Sequence, residues 1–340
     1  FTASDTNETI SKKIADRVKE VSLKEITEEL SKEFVFQEDA IKSLYAGCAT
    51  NKNIILFGPG GFSKSVITKA FLEFYGIPIH YKIGHSESTA EDLLGIPNIP
   101  KLLNESKLEI AFENSMFGKP GILILEEGLD IPESVAACLK DIITSKGLRE
   151  NDVFKESKIA SIIILGNKDP ETLGKDNTLK AFYDERFPIR RRVVWKDFAS
   201  ACYSKFFKVF FKDKFDNNRD SFLLLSELCS NNPTMVSPRV ASDAGDVMLG
   251  LGVDFIDTIS GIDTSKLQQV RQEVKLKSCL LKEELLLKKL NDNFTECLKD
   301  DDNISERFIE CKLIIQKIES TEFSIENLLK AGELKTRAEE

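Results

Sequence analysis

Apolar residues recur at helical spacing in the first 50 residues of the chain. Most of them lie three or four positions apart and are separated by polar or charged residues. This spacing places them along one side of an amphipathic helix. We therefore predict helices from Glu8 to Thr50. The residues with this spacing are Ile10, Ile14, Val18, Val21, Ile26, Leu30 and Phe34.

From Lys52 to about Lys196 the pattern changes, and short runs that are apolar at nearly every position alternate with helical stretches. Such runs are typical of strands buried on both faces, as in a mostly parallel sheet covered by helices. The sequence therefore predicts an α/β core. The predicted strands are Asn53–Phe57, Ile79–Ile83, Gly121–Leu125, Ala160–Leu165 and Arg191–Trp195.

The remaining chain has helical patterning. Phe198 to Thr258 is predicted to be helical, with breaks near 231–233 and 250–252. The stretch Thr264 to Glu340 is rich in Lys, Glu and Leu, and its acidic break at Asp300–Asn303 discourages a helix because like charges repel. Its apolar spacing is not a strict heptad, so two helices packed as an antiparallel hairpin on the same chain are predicted.

A chain of 340 residues is long enough for several compact units. The patterns predict N-terminal helices over 1–46, an α/β core over 47–197, a helical domain over 198–262 and a helical hairpin over 263–340. The composition, 41% hydrophobic and 30% charged, is typical of a folded globular protein. No apolar run approaches the ~20 residues that span a bilayer, so no membrane span is predicted.

The net charge and the cysteine pattern disfavour two classes of function and predict a location. A net charge of -9 argues against a general binder of duplex DNA, which needs Lys and Arg to neutralise phosphates. The seven cysteines form no C-x-x-C pair and only two histidines are present, which disfavours a structural zinc site. Buried reduced thiols and a polar stretch over 1–16, without a signal-peptide core, predict a reducing, cytoplasmic location.

A glycine-rich segment lies between the first predicted strand and a helical stretch that begins at Val66. Strand, glycine-rich turn and helix form the context of a phosphate loop, where backbone N–H groups and the helix N-terminus face phosphate oxygens. Lys64 is positioned to reach the β- and γ-phosphates, and the Ser65 hydroxyl to ligate Mg²⁺. The predicted nucleotide-binding residues are Gly58, Pro59, Gly60, Gly61, Phe62, Ser63, Lys64, Ser65 and Val66.

This segment departs from the usual pattern G-x-x-x-x-G-K-[ST] at one position. Ser63 stands where the last glycine is expected. Serine adopts a left-handed conformation at a cost of roughly 1 kcal/mol or more. We therefore expect the loop to bind nucleotide, with a backbone conformation at Ser63 that costs more free energy than glycine would at this position.

Two carboxylates follow the predicted strand at 121–125. The carboxyl edge of an open parallel sheet is where its ligands bind, so Glu126 and Glu127 are expected beside the phosphate loop. One carboxylate is suited to hold Mg²⁺, predicted to be Glu126, and the other to polarise the attacking water, predicted to be Glu127. The usual metal-facing residue is Asp, and the Glu126 side chain is one methylene longer. The extra methylene shifts the metal-facing oxygens by ~1.5 Å, and a displacement of that size can cost about 10²-fold in rate.

The order of these motifs resembles AAA+ ATPases of the MoxR type, over roughly Glu33 to Leu251. The element Asp184–Phe187 has one residue altered or inserted relative to the family's Asp-Arg-Phe pattern. The segments that carry the resemblance are Phe36–Ala40, Ser86–Gly95, Gly118–Gly121 with the acidic pair, Ile162–Asn167, Asp184–Phe187 and Ser237–Arg239.

The resemblance implies a P-loop AAA+ core with an all-α lid over 198–262, ATP and Mg²⁺ as ligands, and a hexameric ring that remodels a protein partner. It implies that Asn167 orients the lytic water and that Arg239 senses the γ-phosphate in the same subunit. It also implies an arginine that reaches the neighbouring subunit's nucleotide, for which Arg186 fits best. Three other arginines remain open for that role: Arg190, Arg191 and Arg192.

Several alternatives remain open. The first is a nucleotide-binding scaffold or switch that hydrolyses slowly or not at all, which the departures at Ser63, Glu126 and Arg186 favour. A GTPase would need Asp two residues after Lys168, where Pro170 stands. A nucleic-acid motor is argued against by the acidic charge. The C-terminal hairpin is expected to bind a partner or to brace the ring.

Overall fold

The computed structural model describes residues 1–2, 4–95, 115–150, 153–172, 178–232, 234–297, 313–318 and 320–321. The chain divides into two compact units. The α/β unit consists of Phe1–Lys196 together with Ser237–Arg239, and the helical unit consists of Asp197–Val236 and the residues from Val240 onward. The division into four parts stays a prediction.

Three helices open the α/β unit, as predicted: α1 is Asn7–Lys19, α2 is Leu23–Leu30 and α3 is Glu38–Thr50. Helix α2 begins with a capping box, in which the Ser22 side chain and the Glu25 side chain each bond the other's backbone N–H. The regularly spaced apolar residues of α1 and α2 are buried, which confirms the helical spacing seen in the sequence.

The centre of the unit is a five-stranded sheet in the order β2-β3-β6-β1-β7, and its neighbouring strands are parallel. All eight residues of β6 are buried, because this strand lies inside the sheet with helices over both faces. An antiparallel hairpin, β4–β5, precedes it. The strands are β1 Ile54–Phe57, β2 Ile79–Ile83, β3 Gly121–Glu126, β4 Gly147–Glu150, β5 Val153–Glu156, β6 Ile159–Gly166 and β7 Ile189–Arg192.

Among the described residues, four helices connect these strands and bury their apolar sides against the sheet. The α/β class with a mostly parallel sheet is therefore confirmed. The helices are α4 Lys64–Phe74, α5 Ala90–Leu94, α6 Glu133–Ser145 and α7 Thr178–Arg186.

Two strand predictions were wrong in detail. The last strand is Ile189–Arg192, not Arg191–Trp195, because the residues that pair with β1 begin at Ile189, opposite Ile54. Strand β2 was expected to be buried on both faces, but it lies at the edge of the sheet, where Tyr81 and Ile83 are 38% and 54% exposed.

The helical unit has an aromatic core. Phe211 and Phe222 pack with ring centroids 4.8 Å apart, and Phe207 and Phe215 pack on Phe222 from either side. The long last helix packs against the third helix of this unit. The helices are α8 Ser200–Phe211, α9 Asp213–Asn217, α10 Arg219–Ser230, α11 Pro238–Leu251 and α12 Leu267–Cys297.

Helix α12 covers the position of the first predicted arm of the C-terminal hairpin, and residues 313–318 are also helical, but the hairpin itself stays a prediction. The acidic break Asp300–Asn303 and most of the second arm lie outside the described residues. Within the described part of the chain, no helix combines the length and the apolar character that crossing a bilayer requires.

Candidate functional site

The glycine-rich loop leaves the carboxyl end of β1 between β6 and β7. Gly58 N–H donates to Gly166 O at 3.1 Å, and a Cβ at Gly58, whose φ is 134°, would lie 2.7 Å from Val193 O. A larger residue would therefore separate the loop from β7. The close packing fixes where the loop starts, directly above the sheet edge.

Ser63 adopts the left-handed conformation that the missing glycine would provide, with φ 58° and ψ 21°. It is the residue before α4, and its side chain makes no capping hydrogen bond there. The left-handed region costs a non-glycine residue about 1–2 kcal/mol. The loop therefore keeps its expected course at the expense of local backbone strain.

Lys64 is drawn into the loop and is only 8% exposed. Its Nζ donates to Gly58 O and Pro59 O, both at 2.8 Å, and to Asn167 Oδ1 at 3.1 Å. An ammonium group has three donors, so these oxygens satisfy it. Burial lowers the pKa of Lys64, and the nearby carboxylates Glu127 and Glu126 oppose that shift.

Ser65 and Glu126 meet at the start of α4. The Ser65 hydroxyl donates to Glu126 Oε1 in a short hydrogen bond. The contact brings a hydroxyl and a carboxylate oxygen to one place, and such hard oxygen ligands are those that Mg²⁺ prefers. The residues present therefore fit the implied metal, and the longer side chain of Glu126 still reaches Ser65.

Glu127 lies beside this pair at the end of β3. It has a positive φ of 52°, and its Oε1 accepts a hydrogen bond from Asn167 Nδ2 at 2.7 Å. Burial raises the pKa of the Glu127 carboxyl, and so does the negative charge of Asp130, whereas Lys64 acts in the opposite direction. A carboxyl with a raised pKa is suited to accept a proton near neutral pH.

These groups line one cleft of about 280 Å³ together with Arg239. Arg239 N–H donates to Gly61 O at 3.3 Å, a contact within the α/β unit, to which residues Ser237–Arg239 belong. Of the predicted site residues, the cleft gathers 60–66, Glu126, Glu127, Asn167 and Arg239. Gly58 and Pro59 do not line the cleft, and their carbonyls accept hydrogen bonds from Lys64.

Arg186 is not brought to this cleft. Its carbonyl accepts a hydrogen bond from Asn53 Nδ2 at 3.0 Å, and Asn53 directly precedes β1. Arg186 therefore lies at the amino end of the central strands, opposite the loop. Its Nε is buried without a hydrogen-bond partner among the described residues.

The other arginines of this cluster differ in their contacts. Arg190 bonds the carbonyls of Tyr183 and Phe187, and it forms ion pairs with Glu171 and Asp184. These contacts tie β7 to α7.

Asp39 of α3 holds the next arginine in the chain. Arg191 donates to the Asp39 carboxylate, and Lys196 lies 3.2 Å from the same group. Arg192 is exposed at the end of β7.

Three residues that the sequence reasoning missed support the turn after β3. Tyr183 is fully buried and donates its hydroxyl to Gly128 O at 2.7 Å. Asp130 closes the turn, since its N–H donates to Glu127 O at 2.9 Å, and its carboxylate forms an ion pair with Lys168. An acidic residue three positions after Glu127 and a lysine directly after Asn167 were the available signals.

An aromatic cluster lies behind the loop. The Trp195 ring contacts Phe36 and Phe62 edge-on, with centroids 5.4 and 6.2 Å away. Gln37 is buried beside them and donates from Nε2 to Phe62 O at 3.2 Å. The segment Phe36–Ala40, one of those that carry the family resemblance, is thus joined to the loop through Gln37.

Comparison with known proteins identifies the family. The family model of the MoxR domain in the MoxR-vWA-beta-propeller ternary systems matches residues 21–199. No curated protein matches the sequence. Two solved structures similar to this chain are a provisionally assigned ATPase from Cytophaga hutchinsonii and a RuvB variant from Thermotoga maritima.

The first is 14% identical, with 78% of this chain and 87% of that chain covered and a TM-score of 0.42. The second is 13% identical, with 73% and 71% covered and a TM-score of 0.43. The assignment rests on the family model, which spans more than half of the 340 residues. The chain belongs to the MoxR family of AAA+ ATPases.

Proposed function

We propose that this chain binds ATP with Mg²⁺ in the cleft above β1 and hydrolyses it as a subunit of a hexameric ring that remodels a protein partner. One observation carries the proposal. Lys64, Asn167 and Glu127 form a continuous chain of hydrogen bonds beside the Ser65–Glu126 contact, within one cleft. These are the groups that phosphate binding, metal binding and water activation require.

Binding uses the loop and the start of α4. The loop backbone and the positive end of the helix dipole face the cleft, where they favour phosphate oxygens. Lys64 exchanges its bonds to Gly58 O and Pro59 O for bonds to the triphosphate. Because Lys64 is buried, its charge acts at a lower local dielectric than in water and attracts the phosphates more strongly.

Ser65 and Glu126, which share a hydrogen bond, would hold the implied metal. Mg²⁺, when bound, neutralises charge on the phosphate oxygens. Glu126 supplies a carboxylate of the right chemistry at the position where aspartate is usual, and its extra methylene is accommodated at the end of β3.

In the proposed hydrolysis, Glu127 accepts the proton of the attacking water. Its Oε1 accepts from Asn167 at 2.7 Å, which leaves Oε2 to accept the proton of the attacking water. Water oxygen then forms the new bond to the γ-phosphorus as the bond to the leaving ADP oxygen breaks. The raised pKa of Glu127 makes its carboxylate a stronger base than an exposed glutamate.

Two arginines complete the proposal. Arg239 lines the cleft and stabilises the negative charge of the γ-phosphate within the subunit. Arg186, whose backbone lies at the other end of the sheet, is assigned to the cleft of a neighbouring subunit. A ring follows from this assignment, because each cleft then needs an arginine from the next copy.

The partner is assigned to a protein with vWA or beta-propeller domains. The description of the matching family names ternary systems that contain these two components with the MoxR domain. Nucleic acid is not favoured, since the net charge is -9.

A second candidate is a nucleotide-operated switch with slow or absent turnover. The strained left-handed conformation of Ser63 favours it, because the loop departs from the usual glycine next to Lys64. Steady-state ATP turnover of Glu127→Gln distinguishes the two candidates. Hydrolysis at this site predicts a fall in kcat of about 10²–10⁴-fold, the usual contribution of a general base.

The matched control is Glu133→Gln, an exposed carboxylate in the first turn of α6 that should leave turnover unchanged. ATP affinity should persist in Glu127→Gln, as measured with a fluorescent ATP analogue. Equal turnover in wild type and Glu127→Gln would rule out hydrolysis at this cleft and leave the switch.

A further inference from the structure

Two loops face each other at the carboxyl edge of the sheet, and two adjacent side-chain contacts join them. The turn 127–130 follows β3, and the segment 167–169 follows β6. Asn167 Nδ2 donates to Glu127 Oε1 at 2.7 Å. The next residue, Lys168, donates from Nζ to the Asp130 carboxylate in a short ion pair. The two contacts thus form parallel connections between the same two loops.

The turn that carries Glu127 has a conformation that needs support. Glu127 has a φ of 52°, a region in which non-glycine residues are strained. Its backbone is fixed from the inner side, where Gly128 N–H donates to Leu165 O at 3.1 Å and Tyr183 Oη–H donates to Gly128 O at 2.7 Å. On the solvent side the connection is the Lys168–Asp130 pair.

Charged groups surround the Glu127 carboxyl on several elements. Lys64 of α4, Glu126 of β3 and Asp130 of the turn each act on its pKa. Arg239 of α11 lines the same cleft.

Lys168, from the loop after β6, also interacts with this carboxyl. Hydrogen bonding and attraction from Asp130, with a smaller contribution from Glu127, raise the pKa of Lys168. Lys168 thus offsets the negative charge that Asp130 directs at Glu127.

We propose that Lys168 and Asp130 are a pair of positioning residues that hold the turn after β3 so that Glu127 stays against Asn167. The proposal rests on the assignment of Glu127 as the base. Neither residue touches substrate; both act through Glu127. The sequence offered no family motif for this pair. Lys168 directly follows Asn167, and Asp130 lies three residues after Glu127.

The expected effect falls on catalysis and not on folding. The Lys168 side chain is 62% exposed and that of Asp130 is 28% exposed, and ion pairs of this kind contribute little to stability. The position of a base is far more sensitive, since a displacement near 1 Å can cost up to about 10²-fold in rate. A small movement of this turn therefore changes kcat without unfolding the protein.

The experiment compares Lys168→Met, Asp130→Asn and the charge-reversed double variant Lys168→Asp with Asp130→Lys in the full chain. Each single variant should lower kcat by about tenfold with little change in KM, because ATP binding uses other residues. The reversed pair should recover most of the loss, because it restores the ion pair. Lys13→Met, which removes a comparable surface pair with Asp5, is the control and should have wild-type kcat.

The split between kcat and KM, together with recovery by the reversed pair, separates positioning from a general structural role. A variant that is merely less well folded loses the active fraction of the protein, and reversing the charges does not restore it. Wild-type kcat in both single variants would overturn the proposal. So would a fall in kcat that the reversed pair does not recover.

A failure of the proposed function gives a different result. If Glu127→Gln hydrolyses ATP as well as wild type, Glu127 is not the base, and the pair is then judged by structure alone. Hydrogen exchange of the Asp130 amide, whose N–H donates to Glu127 O, measures the turn directly. Faster exchange in Lys168→Met than in wild type supports the pair, and unchanged exchange overturns it.

Discussion

Gly61→Ala tests how Ser237–Arg239, which belong to the α/β unit, pack on the loop. A Cβ at Gly61 would lie 2.5 Å from Ser237 Oγ, 3.0 Å from Ser237 Cβ and 3.1 Å from Arg239 Cβ. The hydroxyl can rotate away, but the two Cβ atoms move only with their backbone. Gly61 also has a φ of 83°, which is unfavourable for alanine.

The magnitude follows from these two terms. The left-handed backbone costs alanine about 1–2 kcal/mol. Overpacking against Ser237 and Arg239 adds about 1–3 kcal/mol. A loss of roughly 2–5 kcal/mol in the free energy of unfolding lowers Tm by about 4–20 °C in a unit of this size.

The assay is urea and thermal unfolding of the full chain, with ATP affinity measured in parallel. Gly60→Ala is the matched control, because its nearest neighbour would be Asn167 Oδ1 at 4.0 Å. That variant should stay within about 1 kcal/mol of wild type. Gly61→Ala should also bind ATP more weakly, since Arg239 is displaced from the cleft. Equal stability of the two alanine variants would refute the reasoning.

Two further predictions concern more distant groups. Rings mixed from Arg186→Ala and Lys64→Ala subunits, each inactive alone, should regain ATP turnover, because an intact cleft can receive an intact Arg186 from the neighbouring copy; mixtures as inactive as their components would contradict transfer in trans. Burial tends to raise the pKa of Asp39, but hydrogen bonds from Arg191 and Lys196 outweigh it and lower that pKa. The folded pKa lies below the unfolded value, so the stabilisation is present above the unfolded value of about 4 and is lost as pH falls through the folded value. Urea unfolding should therefore show Asp39→Asn to be less stable than wild type at pH ~7, with the difference in the free energy of unfolding shrinking toward pH ~3. A difference that does not change with pH would contradict this linkage. The control is Asp16→Asn, which changes an exposed aspartate.

The sequence predicted the central elements because their signals are local. The strand before Gly58 is an uninterrupted apolar run, and the glycines and Lys64 stand at fixed distances from it. Glu126 and Glu127 follow a second such run. Parallel strands bring their carboxyl ends to one edge, so these residues meet wherever the sheet forms.

Other features depend on pairing that a single segment does not encode. The run Ile79–Ile83 does not indicate that β2 lies at the sheet edge. The apolar residues after Arg192 look like a continuation of β7, although the pairing with β1 ends at Arg192. The Lys168–Asp130 pair joins residues 38 positions apart. Only the order of the strands brings them together.

Tyr183 connects helix α7 to the turn that carries Glu127. The helix is anchored through this hydroxyl to Gly128, next to Glu127, and it ends one turn later at Arg186. A shift of the turn at Gly128 would therefore pull on this helix through the Tyr183 hydrogen bond, and the helix ends at Arg186. In the proposed ring, the state of one cleft would thereby be communicated mechanically to the next, which gives successive subunits a physical basis for acting in sequence.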